Sequence, residues 1–418
     1  MYLISDTNTM NSIKNLKSPQ NLIIIVAALG YFVDIYDLIL FNVVKKSSLM
    51  ALGYAGEELN NKGMFLFNMQ MIGMLAGGIL WGVLGDKKGR LKVLFGSIIM
   101  YSLANILNAF VTDINSYAVI RFIAGVGLAG ELGAGITLVA ETMNKEKRGY
   151  GTMIIVTFGA LGAVLAALVA DKFEWQIAYL VGGGLGLALL VLRIGTLESQ
   201  MFNEMKDTNI KKGQFHHLFS DKKRFFKYLN CIMIGFPIWF TIGILIALSE
   251  MFATHMGVTG KVSVGTAIMF AYIGLSAGDL VSGFLSQYFR SRKKIVIVYI
   301  LFTAVLLFLF LFSHNISVIY FNTLCFLLGF AAGYWAIFVT IASEQFGTNF
   351  RSTVTTTVPN FVRGAVAPIT LGFQFLVPGT GIVYGALIIG MACIILAFIS
   401  VLSIKETFGK DLNYIEIF

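Results

Sequence analysis

Apolar stretches of about 20 residues recur along almost the whole chain, and that length is what an α-helix needs to cross a hydrocarbon core of about 30 Å. Twelve are read, at about 21–44, 63–85, 91–111, 115–143, 148–170, 175–196, 226–250, 262–287, 293–313, 316–344, 353–377 and 380–403. Lipid offers a peptide group no hydrogen-bond partner. Each stretch should therefore be helical, or irregular only where protein or a water-filled cavity covers it. Of 418 residues 57% are hydrophobic and only 13% charged, a balance that a water-soluble domain cannot hide. The expected fold class is an all-α, multi-pass membrane protein with a lipid-facing surface.

The net charge of +9 could suggest nucleic acid, but its distribution follows the spans. With the N-terminus inside, 23 of the 31 Lys and Arg residues fall in inner segments and 5 in outer ones, leaving Arg121, Arg193 and Arg363 within spans. This positive-inside pattern predicts that both termini are cytoplasmic, as in a bacterial inner (plasma) membrane, and gives no reason to expect a nucleic-acid partner. Cys231, Cys325 and Cys393 lie in apolar spans, where a thiol behaves as a small hydrophobe, and no disulfide or metal-ligand spacing is present. The first apolar run is too long for a signal-peptide core and should remain as span 1.

The longest polar stretch, about 197–225, separates six spans from six. The chain is expected to divide into a bundle at 1–196, a cytoplasmic linker at 197–225 and a second bundle at 226–418. His216 and His217 read as solvated linker residues. AGGILWGVLGD at 76–86 parallels AGDLVSGFLSQ at 277–287 in spans 2 and 8. Glu141 ends span 4 with Arg148 seven residues on, and Glu344 ends span 10 with Arg351 seven residues on. Weak internal symmetry of this kind is expected when two six-helix bundles rock about a central site.

After span 2 the chain reads GVLGDKKGRLKVL from Gly82 to Leu94. Gly82 and Gly85 permit close helix approach, while Asp86 and Arg90 set opposite charges at the membrane surface, where they can latch helix ends. With Gly89, this loop resembles the signature loop of the major facilitator superfamily at every defining position. Span 4 carries RFIAGVGLAGE from Arg121 to Glu131, span 6 ends in RIGTLESQMF, and the C-terminus has ETFGKDLNYIE. These look like the arginine–glycine helix, the segment after span 6 and the tail of the sugar and metabolite proton-symporter branches, although Gln200 and Lys405 stand where proline is usual. The resemblance implies two pseudo-symmetric six-helix bundles, gating by the signature loop and by Glu141, Arg148, Glu344 and Arg351, and no resident cofactor beyond coupling protons. Gln287 replaces the aspartate in the second half. Span 5 lacks the Gly-Pro pair of drug antiporters, which argues against an exporter.

Charges inside the membrane are the most informative residues, because each costs several kcal/mol, roughly, unless paired or hydrated. Asp34 and Asp37 sit at i, i+3 on one face of span 1. Counting rise per residue puts Asp37 and Arg121 at a similar depth in the outer half, where they can meet. A carboxylate beside an arginine stays ionised, and one parted from it in an apolar setting takes up a proton. Asp37 matches the Tyr-Asp of the symporter pattern and Arg121 its span 4 partner, so the resemblance implies proton coupling there; a permanent packing ion pair is the alternative. Asp34 is grouped with this pair for proton coupling, or else binds substrate or faces a hydrated cavity. Arg363 lies about ten residues into span 11 between Pro359 and Pro368. It suits a substrate carboxylate or phosphate, or else an internal partner such as Glu131 or Asp279. Glu131 is read as a second protonation site, a ligand for substrate, or a packing hydrogen bond. Trp239, in the GFPIWF of span 7, and Trp335 of span 10 are candidate cavity walls.

These residues point to a monomeric symporter, embedded in membrane lipid, that carries a small organic anion with protons by alternating access. A neutral or zwitterionic solute, drug or siderophore export, and a receptor without flux are the alternatives. Charges buried at this cost speak against the receptor.

Overall fold

The computed structural model describes residues 19–144, 148–194 and 212–416. The end of the motif after span 6 and most of the expected linker, 195–211, lie outside the described residues. The first six spans are α1 (Pro19–Ala51), α2 (Gly56–Lys88), α3 (Arg90–Asn108), α4 with α5 (Ile114–Leu128, Glu131–Thr142), α6 (Arg148–Lys172) and α7 (Trp175–Leu192). Span 7 comprises α8 (Lys222–Met233), α9 (Phe236–Phe240), a π-helical turn at Thr241–Ile246 and α10 (Ser249–His255). Then follow α11 (Val264–Tyr288), α12 (Arg292–Leu311), α13 with α14 (Val318–Ala332, Trp335–Gln345), α15 (Arg351–Gly364) and α16 (Val366–Ser403).

Local chemistry sets where the chain turns back. Asp113 accepts hydrogen bonds from the backbone N–H groups of Asn115 and Ser116, both at 2.9 Å, and so caps α4. The Ser116 side chain and these amides hold the exposed Asp113 carboxyl below the usual carboxylate range. Ser263, Ser291 and Ser317 cap α11, α12 and α13 in the same way. Asp221 caps α8, so span 7 starts four residues earlier than the apolar pattern suggests, because Lys222, Lys223 and Arg224 are tolerated in its first, interfacial turn. The 53 residues of Arg351–Ser403 are about twice what one crossing needs, and Gly381, at φ 77 and ψ 169, divides them into the eleventh and twelfth spans.

Four spans are broken where the sequence reads as continuous. α4 gives way to α5 at Ala129–Gly130, α13 to α14 at Gly333–Tyr334, α8 to α9 at Ile234–Gly235, and α15 to α16 at Ala365. The breaks at Ala129–Gly130, Gly333–Tyr334 and Ile234–Gly235 are buried among other helices, which is where irregular backbone is permitted in a bilayer, and Ala365 is half-buried.

Two helix crossings repeat in the two halves of the chain. On α2, Gly73 and Gly77 lie against the backbone of Phe122 and Val126 on α4, and Gly125 of α4 lies in turn against Gln70. On α11, Gly274 and Gly278 lie against the backbone of Phe326 and Phe330 on α13, while Gly329 of α13 meets Ala271. Each is a small-xxx-small contact in which a side chain would occupy the neighbour's backbone. Replacement of Gly77 or Gly278 by valine should therefore part the crossing and destabilise the fold by about 1–3 kcal/mol. Thermal unfolding in detergent checks this, and unchanged melting in both variants would contradict the crossing.

Candidate functional site

Two charged assemblies lie between the halves, one at a membrane face and one at mid-depth. At the face, α2 ends against the start of α15. Asp86 accepts from the Ser352 and Thr353 amides at 3.0 and 2.9 Å and from the Thr353 hydroxyl at 2.6 Å, capping a helix of the other half. Gly82 and Gly85 make room for this approach, with Thr353 and Ser352 directly over them. Gly89 turns α2 into α3 at φ 103 and so returns Arg90 toward Asp86, 3.6 Å away.

The two Glu/Arg pairs spaced seven residues apart are exchanged between the halves. Glu141, at the end of α5, is met by Arg351 at 3.1 Å and by Arg90 at 2.8 Å. Glu344, at the end of α14, is met by Arg148 at 2.9 Å and by Arg292 at 3.5 Å. Each glutamate thus takes one arginine from its own half and one from the other. Gln287, standing where the second aspartate would be, makes no side-chain hydrogen bond through Nε2; Arg292 instead donates to Ser286 at 2.9 Å. The C-terminal tail crosses this face, its Lys410 and Leu412 carbonyls accepting from Arg148 and Arg351. Burial alone would push the Glu406 carboxyl up. Hydrogen bonds from Ser291 and from the amides of Arg292, Phe408 and Thr407 prevail and hold it below the ordinary range, so this cap stays ionised at neutral pH and is lost only on strong acidification.

At mid-depth, Arg363 of α15 faces Asp34 of α1 across the interface, with Nη2 3.8 Å from Oδ2. Its Nη1 donates to Asn360 Oδ1 and its Nη2 to the Tyr31 hydroxyl, both long at 3.4 Å. Trp239 and Trp335 flank the guanidinium, their ring centroids 5.9 and 5.6 Å from its carbon. Beside it lies a small space lined by Tyr31, Trp239, Tyr272, Trp335 and aliphatic side chains. Arg363 is 1% exposed and Asp34 0%, so this site is enclosed while the charged face is latched.

Several expected partners differ. Glu131 does not face Arg363; both its oxygens are bound by Arg193, from the end of α7, and the pair lies against Gly30 of α1. Asp279 accepts from the Ala336 amide at 2.9 Å and so caps α14, fixing Trp335 at its start. Asp37 and Arg121 come within electrostatic range but form no ion pair: Arg121 donates to Gln70 and lies 4.8 Å from the Phe41 ring, while Asn105 faces Asp37. Asn360 escaped the sequence reading although it stands one turn before Arg363. It donates to the Ala129 carbonyl freed at the α4/α5 break, at 2.9 Å, and so ties the two halves. His216 and His217 stack on each other in the turn at Phe215–Leu218.

A bundle of apolar helices with paired charges at its centre and a charge latch at one face is the architecture of a secondary transporter, not of an enzyme. Residues 27–369 match the family model of the Major Facilitator Superfamily, and the chain belongs to that superfamily. It is 27% identical to the putative niacin/nicotinamide transporter NiaP of Bacillus subtilis over 83% of this chain and 86% of that protein. It is likewise 27% identical to the 3-(3-hydroxy-phenyl)propionate transporter of Escherichia coli, over 79% of this chain and 84% of that one. The fold superposes on the proton:xylose symporter XylE with a TM-score of 0.77 at 15% identity, over 94% of this chain and 98% of XylE.

Asp86→Asn should weaken the cap on α15, each lost charge-assisted hydrogen bond amounting to about 1.5–3 kcal/mol. The expected result is slower turnover, with ligand affinity changed by less than about threefold because the latch is remote from Arg363. Labelling of a cysteine placed at Ser352 should become faster; a large affinity loss at normal turnover would contradict this geometry.

Proposed function

We propose that the chain is a proton-coupled symporter of a small, flat organic carboxylate, with its latched face toward the cytoplasm of a bacterial cell. The observation that carries this reading is the seat of Arg363. Two tryptophans bracket the guanidinium, its two hydrogen bonds are long, its Nε makes none, and an aromatic-lined space lies beside it. A planar guanidinium with donors to spare favours a carboxylate held at two points, and the aromatic walls favour an apolar or ring-shaped body. Relatives bear names that fit: niacin, 3-(3-hydroxy-phenyl)propionate and, over a shorter stretch, benzoate. The acidic pair of α1, Asp34 and Asp37, supplies the buried carboxylates that proton coupling needs, with Arg121 near Asp37.

One observation favours a second reading. Arg363 already has a counter-charge in Asp34, so a neutral ring such as nicotinamide could bind with that pair left in place.

The two readings separate on binding. Thermal stabilisation of the purified protein by nicotinate and benzoate, but not by nicotinamide, supports the anion site. Arg363→Lys should weaken anion binding about tenfold, the loss of one charge-assisted contact, and Arg363→Gln should remove it. Because the Gln variant strands Asp34, it is paired with Asp34→Asn to keep the buried charges balanced. Undiminished anion affinity in that double variant would sink the anion reading.

A further inference from the structure

We infer that Asp34 carries the coupled proton, and that it does so because it competes with the substrate carboxylate for Arg363. This rests on the proposal that an anion binds there, and it adds the means by which proton and anion are held to one ratio.

Three observations support it. Asp34 and Arg363 belong to opposite halves, α1 and α15, so their contact must part or shift when the halves rock. At 3.8 Å it is an ion pair without a hydrogen bond, well beyond the roughly 2.7–2.9 Å of a charge-assisted one, and neither Asp34 oxygen has a hydrogen-bond partner among the described residues. Asp34 is thus held by charge alone, and a ligand that offers Arg363 two short hydrogen bonds can displace it.

The neighbours of Asp34 leave it dependent on that one cation. On α1 itself lie Tyr31 and Asp37, on α3 Tyr101, on α5 Glu131, on α11 Tyr272, and on α15 Arg363, with Asp279 of α11 facing Tyr31. The other buried arginines nearby are engaged: Arg193 by Glu131 and Arg121 by Gln70. Once a substrate carboxylate takes Arg363, two carboxylates share one guanidinium in an enclosed apolar site, and one of them must be neutral. The proton comes from solvent to an Asp34 oxygen. It leaves again when the substrate departs and Asp34 returns to the guanidinium.

Charge balance makes the coupling strict. The empty site holds one positive and one negative charge. With anion and proton both bound it holds one of each again, together with a neutral acid. Anion alone leaves an unpaired negative charge and proton alone an unpaired positive one, and enclosing either costs several kcal/mol, roughly. Only the empty and the doubly loaded carrier can therefore close and reorient. Asp37 has no such direct link, because Arg363 pairs with Asp34 and not with Asp37.

The test is proton uptake on binding, followed with a pH-sensitive dye as nicotinate or benzoate is added to weakly buffered purified protein. About one proton should be taken up per anion bound, and above the titration of Asp34 the wild-type affinity should fall about tenfold per pH unit. Asp34→Asn should bind the anion at least as tightly without pH dependence, take up no proton, and support exchange but not accumulation in proteoliposomes. The wild-type pH series stands even if that variant folds poorly. Binding with no proton uptake, affinity flat over about three pH units, or uptake lost in Asp37→Asn but kept in Asp34→Asn would overturn the competition while leaving the anion site intact. Failure of both anions to bind would remove the site itself.

Discussion

The exchange of arginines between two glutamates is the constraint on which the rest of the arrangement depends. Glu141 and Glu344 end equivalent helices in the two halves, and each is neutralised partly from its own half and partly from the other. All six residues are buried, so parting the halves at this face strands charges unless water enters as they separate. That makes the face either closed and dry or open and hydrated, with little stability in between. A latch with two states is what alternating access needs, and the cap that Asp86 places on α15 adds to the closed one.

The same logic recurs at mid-depth with fewer partners. The central Asp34–Arg363 pair also spans the halves, but a single ion pair with long hydrogen bonds replaces the several ion pairs at the face. The difference suits their roles. A latch gains from several pairings at once, because its work is to hold one state. A binding centre must leave some donors unsatisfied so that a ligand has something to complete.

Much of this was legible in the sequence. Length and apolarity gave the spans, because the bilayer imposes one thickness on all of them. The Gly-Asp-Gly-Arg order of the loop gave Asp86 and Arg90, and Arg363 and the two tryptophans were each read as candidates for the substrate site. What the sequence withheld is rotation about each helix axis. Asp37 and Arg121 were placed at compatible depths, yet Arg121 is turned to Gln70. Glu131 was one of two internal partners offered for Arg363, whereas its partner is Arg193, 62 residues on at the end of α7. The repeated Glu/Arg spacing suggested two local latches and could not reveal the crossing, since each half taken alone pairs its charges equally well.

The breaks in the helices account for where the two halves stop resembling each other. The glycine crossings of α2 with α4 and of α11 with α13 are alike, so both halves share one scaffold up to the interruption of spans 4 and 10. Just past it the first half carries Glu131, closed off by Arg193, and the second carries Trp335, whose helix is capped by Asp279 where the first half has only Gly78. An interrupted helix leaves backbone groups without partners, and here they are satisfied by side chains: Asp279 takes the Ala336 amide, and Asn360 reaches across from α15 to the Ala129 carbonyl. Asn360 also accepts from Arg363, so the broken helix of the first half and the guanidinium of the second hold the same side chain. The scaffold is repeated, and the site arises where the repeat is interrupted.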